Sequence, residues 1–215
     1  MERRDNYALQ AQQAKKHFLT YDQQELIRRC DLLCDEAYFY ITFLSKPYRI
    51  SRTSGEIERL CISSWERVTG FGEIMVILDW LCDSKENRHI TGRWINVVTQ
   101  SHSIHRNLQE EEDPAARFIQ ENPQAFQKAC KALGGEEVPG ADMGYAIELV
   151  DGLKLLLQFW YGDEEFPSAL RCKWDENVLQ YIRYETTWYA VGLLRTEILK
   201  LMKNILGSGV ACDAG

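Results

Sequence analysis

The sequence predicts an α+β protein: an antiparallel sheet, with hairpins near 38–61 and 144–174, packed against several helices and closed by a long C-terminal helix. Three observations predict it. Asp151-Gly152, a pair suited to a two-residue type I′ turn, stands between two runs that alternate apolar and polar residues. Aromatic and β-branched residues crowd Tyr38-Phe39-Tyr40-Ile41-Thr42-Phe43. Trp188, Val191, Leu194, Ile198, Leu201 and Ile205 fall on one helical stripe, the longest regular pattern in the chain. With 215 residues, one hydrophobic core suffices, so a single domain over 1–206 is expected, with the small residues of 207–215 as a flexible tail.

In chain order, Tyr7, Ala11, Ala14 and Phe18 predict an opening amphipathic helix. Asp22 is placed to cap a second helix carrying Leu26, Cys30, Leu33 and Ala37 on its buried face. Two or three antiparallel strands follow from Tyr38 to Cys61, with a turn at Thr53-Ser54-Gly55. Ile74, Ile77, Leu78 and Leu81 mark a short helix after Gly72 that Met75 and Cys82 make apolar on nearly every side, as a central core helix requires. Thr91-Gly92-Arg93-Trp94 opens an irregular region. Its acidic run from Glu110 leads to Asp113-Pro114, a helix start in which Asp caps and Pro costs no hydrogen bond. Pro123 restarts the helix with Phe126, Cys130 and Leu133, and Gly134-Gly135 ends it.

In the second hairpin, Leu156 and Trp160 oppose Leu155, Leu157 and Phe159, so this arm is expected to be a central strand covered on both faces. Beyond the Gly162–Pro167 loop, Leu170, Cys172 and Trp174 alternate with Arg171 and Lys173, giving a strand with one basic, wetter face. Asp175 is placed to cap a short helix with Val178 and Ile182.

The formal net charge of -7 repels a polyanion, so no nucleic-acid partner is expected. Met1-Glu2-Arg3-Arg4-Asp5 leads into a Gln-rich stretch rather than an apolar core, and no run is long enough to span a bilayer. A cytoplasmic protein with no membrane partner is therefore expected. The seven cysteines, of which Cys30 and Cys34 are the closest pair, lack zinc-knuckle spacing and read as free thiols of a reducing compartment.

Phosphate loops, dinucleotide fingerprints, nucleophile elbows and zinc-helix motifs are absent from the sequence, which specifies no catalytic residues, metal site or cofactor. The concentrated polar cluster is Asp163-Glu164-Glu165, flanked by Trp160, Tyr161, Phe166 and Pro167. Three carboxylates at the end of a buried strand can hold a hard cation or supply a general acid. The plainer reading is a solvated tight turn locked down by Phe166 and Pro167, because consecutive residues point in different directions. His102 and His105 stand three apart but lack a supporting carboxylate or thiol, and Trp94 can stack a planar ligand or anchor the core. The candidate binding surface is therefore Trp160, Tyr161, Asp163, Glu164, Glu165 and Phe166, with Trp94.

The run Gly162-Asp163-Glu164-Glu165-Phe166-Pro167, preceded by Phe159-Trp160 and followed by the strand to Trp174-Asp175, resembles the bacterial and archaeal domain of unknown function family numbered 3786. The Tyr48 hairpin, Gly92-x-Trp94, Leu133-Gly134-Gly135 and the last helix stand in the expected order. The resemblance implies a setting in anaerobes, beside corrinoid methyl-transfer proteins and modules that bind a four-iron, four-sulfur cluster. The cysteines here do not group as such a cluster requires. The leading expectation is a non-catalytic binding or accessory protein with a protein partner or a corrinoid-linked system. A small metal-assisted hydrolase or lyase using the 163–165 carboxylates, and a structural subunit that oligomerises, are the alternatives.

Overall fold

A computed structural model describes residues 3–97 and 113–210. The chain is α+β and divides into two compact units. The first comprises residues 1–90, 149–153 and 177–193; the second comprises 91–148, 154–176 and 194–215. Two antiparallel sheets are present rather than one, because the predicted hairpins near 38–61 and 144–174 belong to different sheets.

In the first unit, α1 (Arg3–Phe18) and α2 (Gln23–Cys30) precede a five-stranded meander. Its strands are β1 (Leu33–Cys34), β2 (Tyr38–Phe43), β3 (Lys46–Ser51), β4 (Ile57–Cys61) and β5 (Ser64–Arg67). Asp22 caps α2 as expected, accepting from the Gln24 amide at 2.8 Å. The helix nevertheless stops at Cys30, where Asp31 turns left-handed. The predicted stripe therefore does not reach Leu33 and Ala37, both exposed; Leu33 instead opens β1.

Phe39 pairs with Ile50 and Ile50 with Ile57, which brings three buried residues into one row across the sheet. Phe18 of α1 meets Phe39 edge-on at 6.1 Å. Helix α3 (Phe71–Asp83) is buried from Val76 through Cys82, the central core helix that its composition predicted.

The second unit holds a sheet in the order β6-β10-β9-β8-β7. These strands are β6 (Trp94–Ile95), β7 (Glu136–Glu137), β8 (Met143–Val150), β9 (Leu153–Trp160) and β10 (Ala169–Asp175). Asp151 and Gly152 both have positive φ, 55° and 76°, so the turn between β8 and β9 is the predicted type I′. Central β9 is buried on both faces.

Asp113 caps α4 (Pro114–Glu121) through the Ala115 amide at 3.0 Å. Phe126 of α5 (Pro123–Ala132) packs its ring 5.9 Å from Tyr145 and 6.2 Å from Phe159. Asp175 does not cap the next helix. Its buried carboxylate accepts the Thr91 and Gly92 amides at 2.9 and 2.7 Å, and Asn177 precedes the 3₁₀ turn Val178–Gln180.

Helix α6 runs Tyr184–Val210, through the first residues of the expected tail. Its most buried apolar positions are Ala190, Leu194, Ile198 and Met202, whereas Trp188 is 50% exposed. The burial stripe is thus rotated from the predicted one.

Candidate functional site

The loop between β9 and β10 is built by its own polar groups. The Asp163 carboxylate Oδ1 accepts the Glu165 and Phe166 amides at 2.9 and 2.8 Å, while the Asp163 amide donates to the Phe166 carbonyl at 2.9 Å. Those amides hold the Asp163 carboxyl below its ordinary value, because they stabilise the charged form. Gly162 is needed for a close approach: a Cβ there would lie 2.6 Å from the Ser168 nitrogen. Gln120 of α4 accepts the Gly162 amide at 2.7 Å, and Asp142 accepts the Tyr161 amide at 2.8 Å. The loop is therefore tied at its β9 end to structure within its own unit.

Beside it lies a groove of about 700 Å³ walled by Trp160, Tyr161, Phe166, Pro167, Leu170 and Arg171, and also lined by Asp113 and Asp163. Phe166 is 63% and Tyr161 47% exposed, so large aromatic faces meet solvent. The Tyr161 ring meets Phe159 edge-on at 5.1 Å, and the Arg171 guanidinium lies 5.3 Å from the Trp160 ring centre. Asp113 is paired with Arg195 of α6 at 2.5 Å.

Of the residues predicted from sequence, Trp160, Tyr161, Asp163 and Phe166 come together in this groove. Glu164 and Glu165 are exposed outside its lining. Half-buried Trp94 pairs with Asp175 at the far end of β10, six residues and about 20 Å along the strand from Ala169. His102, His105 and Cys212 lie outside the described residues. Among the described residues no three His, Cys, Asp or Glu side chains converge as a metal site. Cys30, Cys82 and Cys130 are buried, as predicted for structural thiols, whereas Cys34 is exposed on β1. Burial pushes the Cys82 thiol up to about 12, which leaves it protonated and inert.

A second constellation, in the first unit, escaped the sequence reading. Asp79 and Asp83, one turn apart on α3, both bind Arg183. The Asp79 carboxylate accepts the Arg183 amide at 2.7 Å and forms an ion pair with the Arg183 Nε at 3.1 Å, with only 4% of the side chain exposed. Burial raises the Asp79 carboxyl to about 6, and nearby Asp83 adds to the rise, against the lowering influence of the Arg183 amide and the Thr186 hydroxyl. With Gln10, Gln13 and His17 of α1, these residues line a cleft of about 280 Å³. The sequence signal was available: Asp79 is a lone charge between Leu78 and Trp80 in a helix otherwise apolar from Ile74 to Cys82. The bonds to Arg183 make it a clamp on the start of α6, since both Asp79 oxygens are already engaged.

No helix among the described residues is long and apolar enough to cross a membrane. The model of a family described as a domain of unknown function, DUF3786, matches residues 22–197. No curated protein and no solved structure matches the chain.

Proposed function

The chain belongs to the DUF3786 family, and from that premise we propose that it is a non-catalytic binding protein whose contact surface is the aromatic groove beside the 162–167 loop. The observation that carries this reading is a division of labour. The loop's polar groups are engaged in holding its backbone, while the faces of Tyr161 and Phe166 are left to solvent beside Trp160. A groove of about 700 Å³ is within the ordinary size of small-molecule sites, roughly 300–1,000 Å³. Its occupant is a ligand presenting a flat apolar face, because flat rims favour stacking over enclosure.

The family resemblance supports a setting in the cytoplasm of an anaerobe, next to corrinoid or iron–sulfur methyl-transfer chemistry, in which a corrinoid ring supplies such a face. Engagement of the Asp163 carboxylate by two amides, with Glu164 and Glu165 outside the groove, favours contact over metal-assisted hydrolysis.

The test is native mass spectrometry of protein purified without oxygen, followed by calorimetric titration with cobalamin. Retained ligand mass, or saturable binding that Trp160→Leu weakens without lowering the melting temperature, supports the reading. Bare protein that takes up neither cobalamin nor any flat aromatic probe ends it, and a mass corresponding to bound protein instead of small ligand replaces it with a protein-docking role.

A further inference from the structure

Arginines among the described residues are paired with one exception. Each of the others whose side chain is described donates to an oxygen acceptor, as Arg93 does to Glu176, Arg117 to Glu121 and Arg195 to Asp113. Arg171 is different. It is exposed on β10, and its guanidinium lies over the Trp160 ring with no acceptor among the described residues.

The strand register explains the contact: Arg171 opposes Gln158 and Ala169 opposes Trp160, so Arg171 and Trp160 are diagonal neighbours on one face. A guanidinium held by a cation–π contact with an indole leaves its N–H donors free to receive a planar or tetrahedral anion. The neighbouring carboxylates do not compete for it, because Asp113 is paired with Arg195 and Asp163 accepts two loop amides.

Resting on the groove as the contact surface, we infer that its ligand carries an anionic substituent, a carboxylate or a phosphate, beside its flat apolar face, and that Arg171 receives the anion. The flat body lies against Trp160, Tyr161 and Phe166 while the substituent meets the Arg171 donors in the groove wall. The net charge of -7 works against any anion at long range, so selectivity for one must come from this contact. A single substitution therefore decides the matter.

The experiment titrates the full chain with naphthoate and, separately, with naphthalenemethanol, the same ring system without the charge. Calorimetry gives the affinities, and the indole N–H signals in an NMR spectrum report occupancy of the groove. Naphthoate is expected to bind about tenfold more tightly than the alcohol, the gain typical of a hydrogen bond to a charged group. Arg171→Gln should remove that difference, weakening naphthoate about tenfold more than the alcohol, with the melting temperature unchanged.

Equal binding of the two probes to the unmodified protein overturns the inference and leaves the groove reading standing. Equal weakening of both probes by Arg171→Gln also overturns it, since Arg171 would then be only a wall. Failure of both probes to bind the unmodified protein overturns this inference, and failure of cobalamin to bind as well ends the groove reading.

Discussion

The Asp79–Asp83–Arg183 network and the 162–167 loop both present carboxylates beside a cavity, yet solvent treats them oppositely. Asp79 is 4% exposed in its side chain and holds its proton well above the ordinary carboxylate range, whereas Asp163 is exposed and held below it by backbone amides. Three neighbouring carboxylates in a loop diverge, and only the one folded back on the turn acquires fixed partners. Two carboxylates four residues apart on a helix converge on a single guanidinium. Charge density along the chain is thus a poor guide to where electrostatics matter, and burial is a better one.

The largest test of that contrast is Asp79→Ala. It leaves the Arg183 amide and guanidinium without their buried acceptor and should cost about 2–3 kcal/mol, below the usual figure for a fully buried pair because Arg183 is half exposed. Urea unfolding monitored by circular dichroism measures it. Asp163→Ala should shift the midpoint less, and a larger shift than that of Asp79→Ala would reverse the comparison.

A second test is the pH dependence of stability. The folded protein holds the Asp79 proton up to about 6, whereas an unfolded aspartate releases it near 3.8. Proton uptake therefore favours the folded state. This contribution is fully present below pH 3.8 and is lost as pH rises through about 6. Its size is at most about 3 kcal/mol, and coupling to Asp83 and Arg183 lowers it. The difference in stability between the natural protein and Asp79→Asn, followed from pH 4 to 7, should show this fall. A flat difference would mean that Asp79 is ionised throughout.

The contrast also explains what could be read from the chain. Caps and turns are local, so Asp22, Asp113 and the Asp151-Gly152 turn are where short-range rules place them. Central, doubly covered β9 followed from apolar residues on both of its faces, Leu156 and Trp160 opposite Leu155, Leu157 and Phe159. Four of the candidate surface residues meet in one groove because they flank one strand end and one tight loop.

Distant pairings were silent. Asp175 reads locally as a cap, yet it serves amides at Thr91 and Gly92, more than eighty residues away. Leu33 fits a helical stripe, but the left-handed Asp31 breaks the helix first. The partner of Asp79 lies over a hundred residues on, at Arg183, and no periodicity connects them.

Within the loop itself, Gly162→Ala sharpens the comparison at a smaller scale. The added methyl would sit 2.6 Å from the Ser168 nitrogen and 3.0 Å from the Phe166 carbonyl, so the loop backbone must move. The shift should be local and cost about 1–2 kcal/mol, because overpacking at a surface turn is relieved more readily than in a core. Naphthoate affinity should fall with it, while the Asp79-dependent pH slope stays unchanged. Loss of both together would show that the loop and the Asp79 network are energetically coupled.

The smallest expected effect on stability is that of Phe166→Ala. A side chain 63% exposed contributes little burial to the folded state, so unfolding should change by no more than about 0.5 kcal/mol. The backbone donors that bind Asp163 belong to residues 165 and 166 whatever side chain they carry, so the loop should keep its shape. Binding should respond differently, because removing one aromatic wall subtracts stacking area from any flat ligand, charged or neutral. Equal weakening of naphthoate and naphthalenemethanol, with an unchanged melting temperature, would separate the role of Phe166 as a wall from that of Arg171 as the anion's partner. A drop in stability comparable to that of Asp79→Ala would instead make Phe166 part of the fold and remove the aromatic rim from the binding surface.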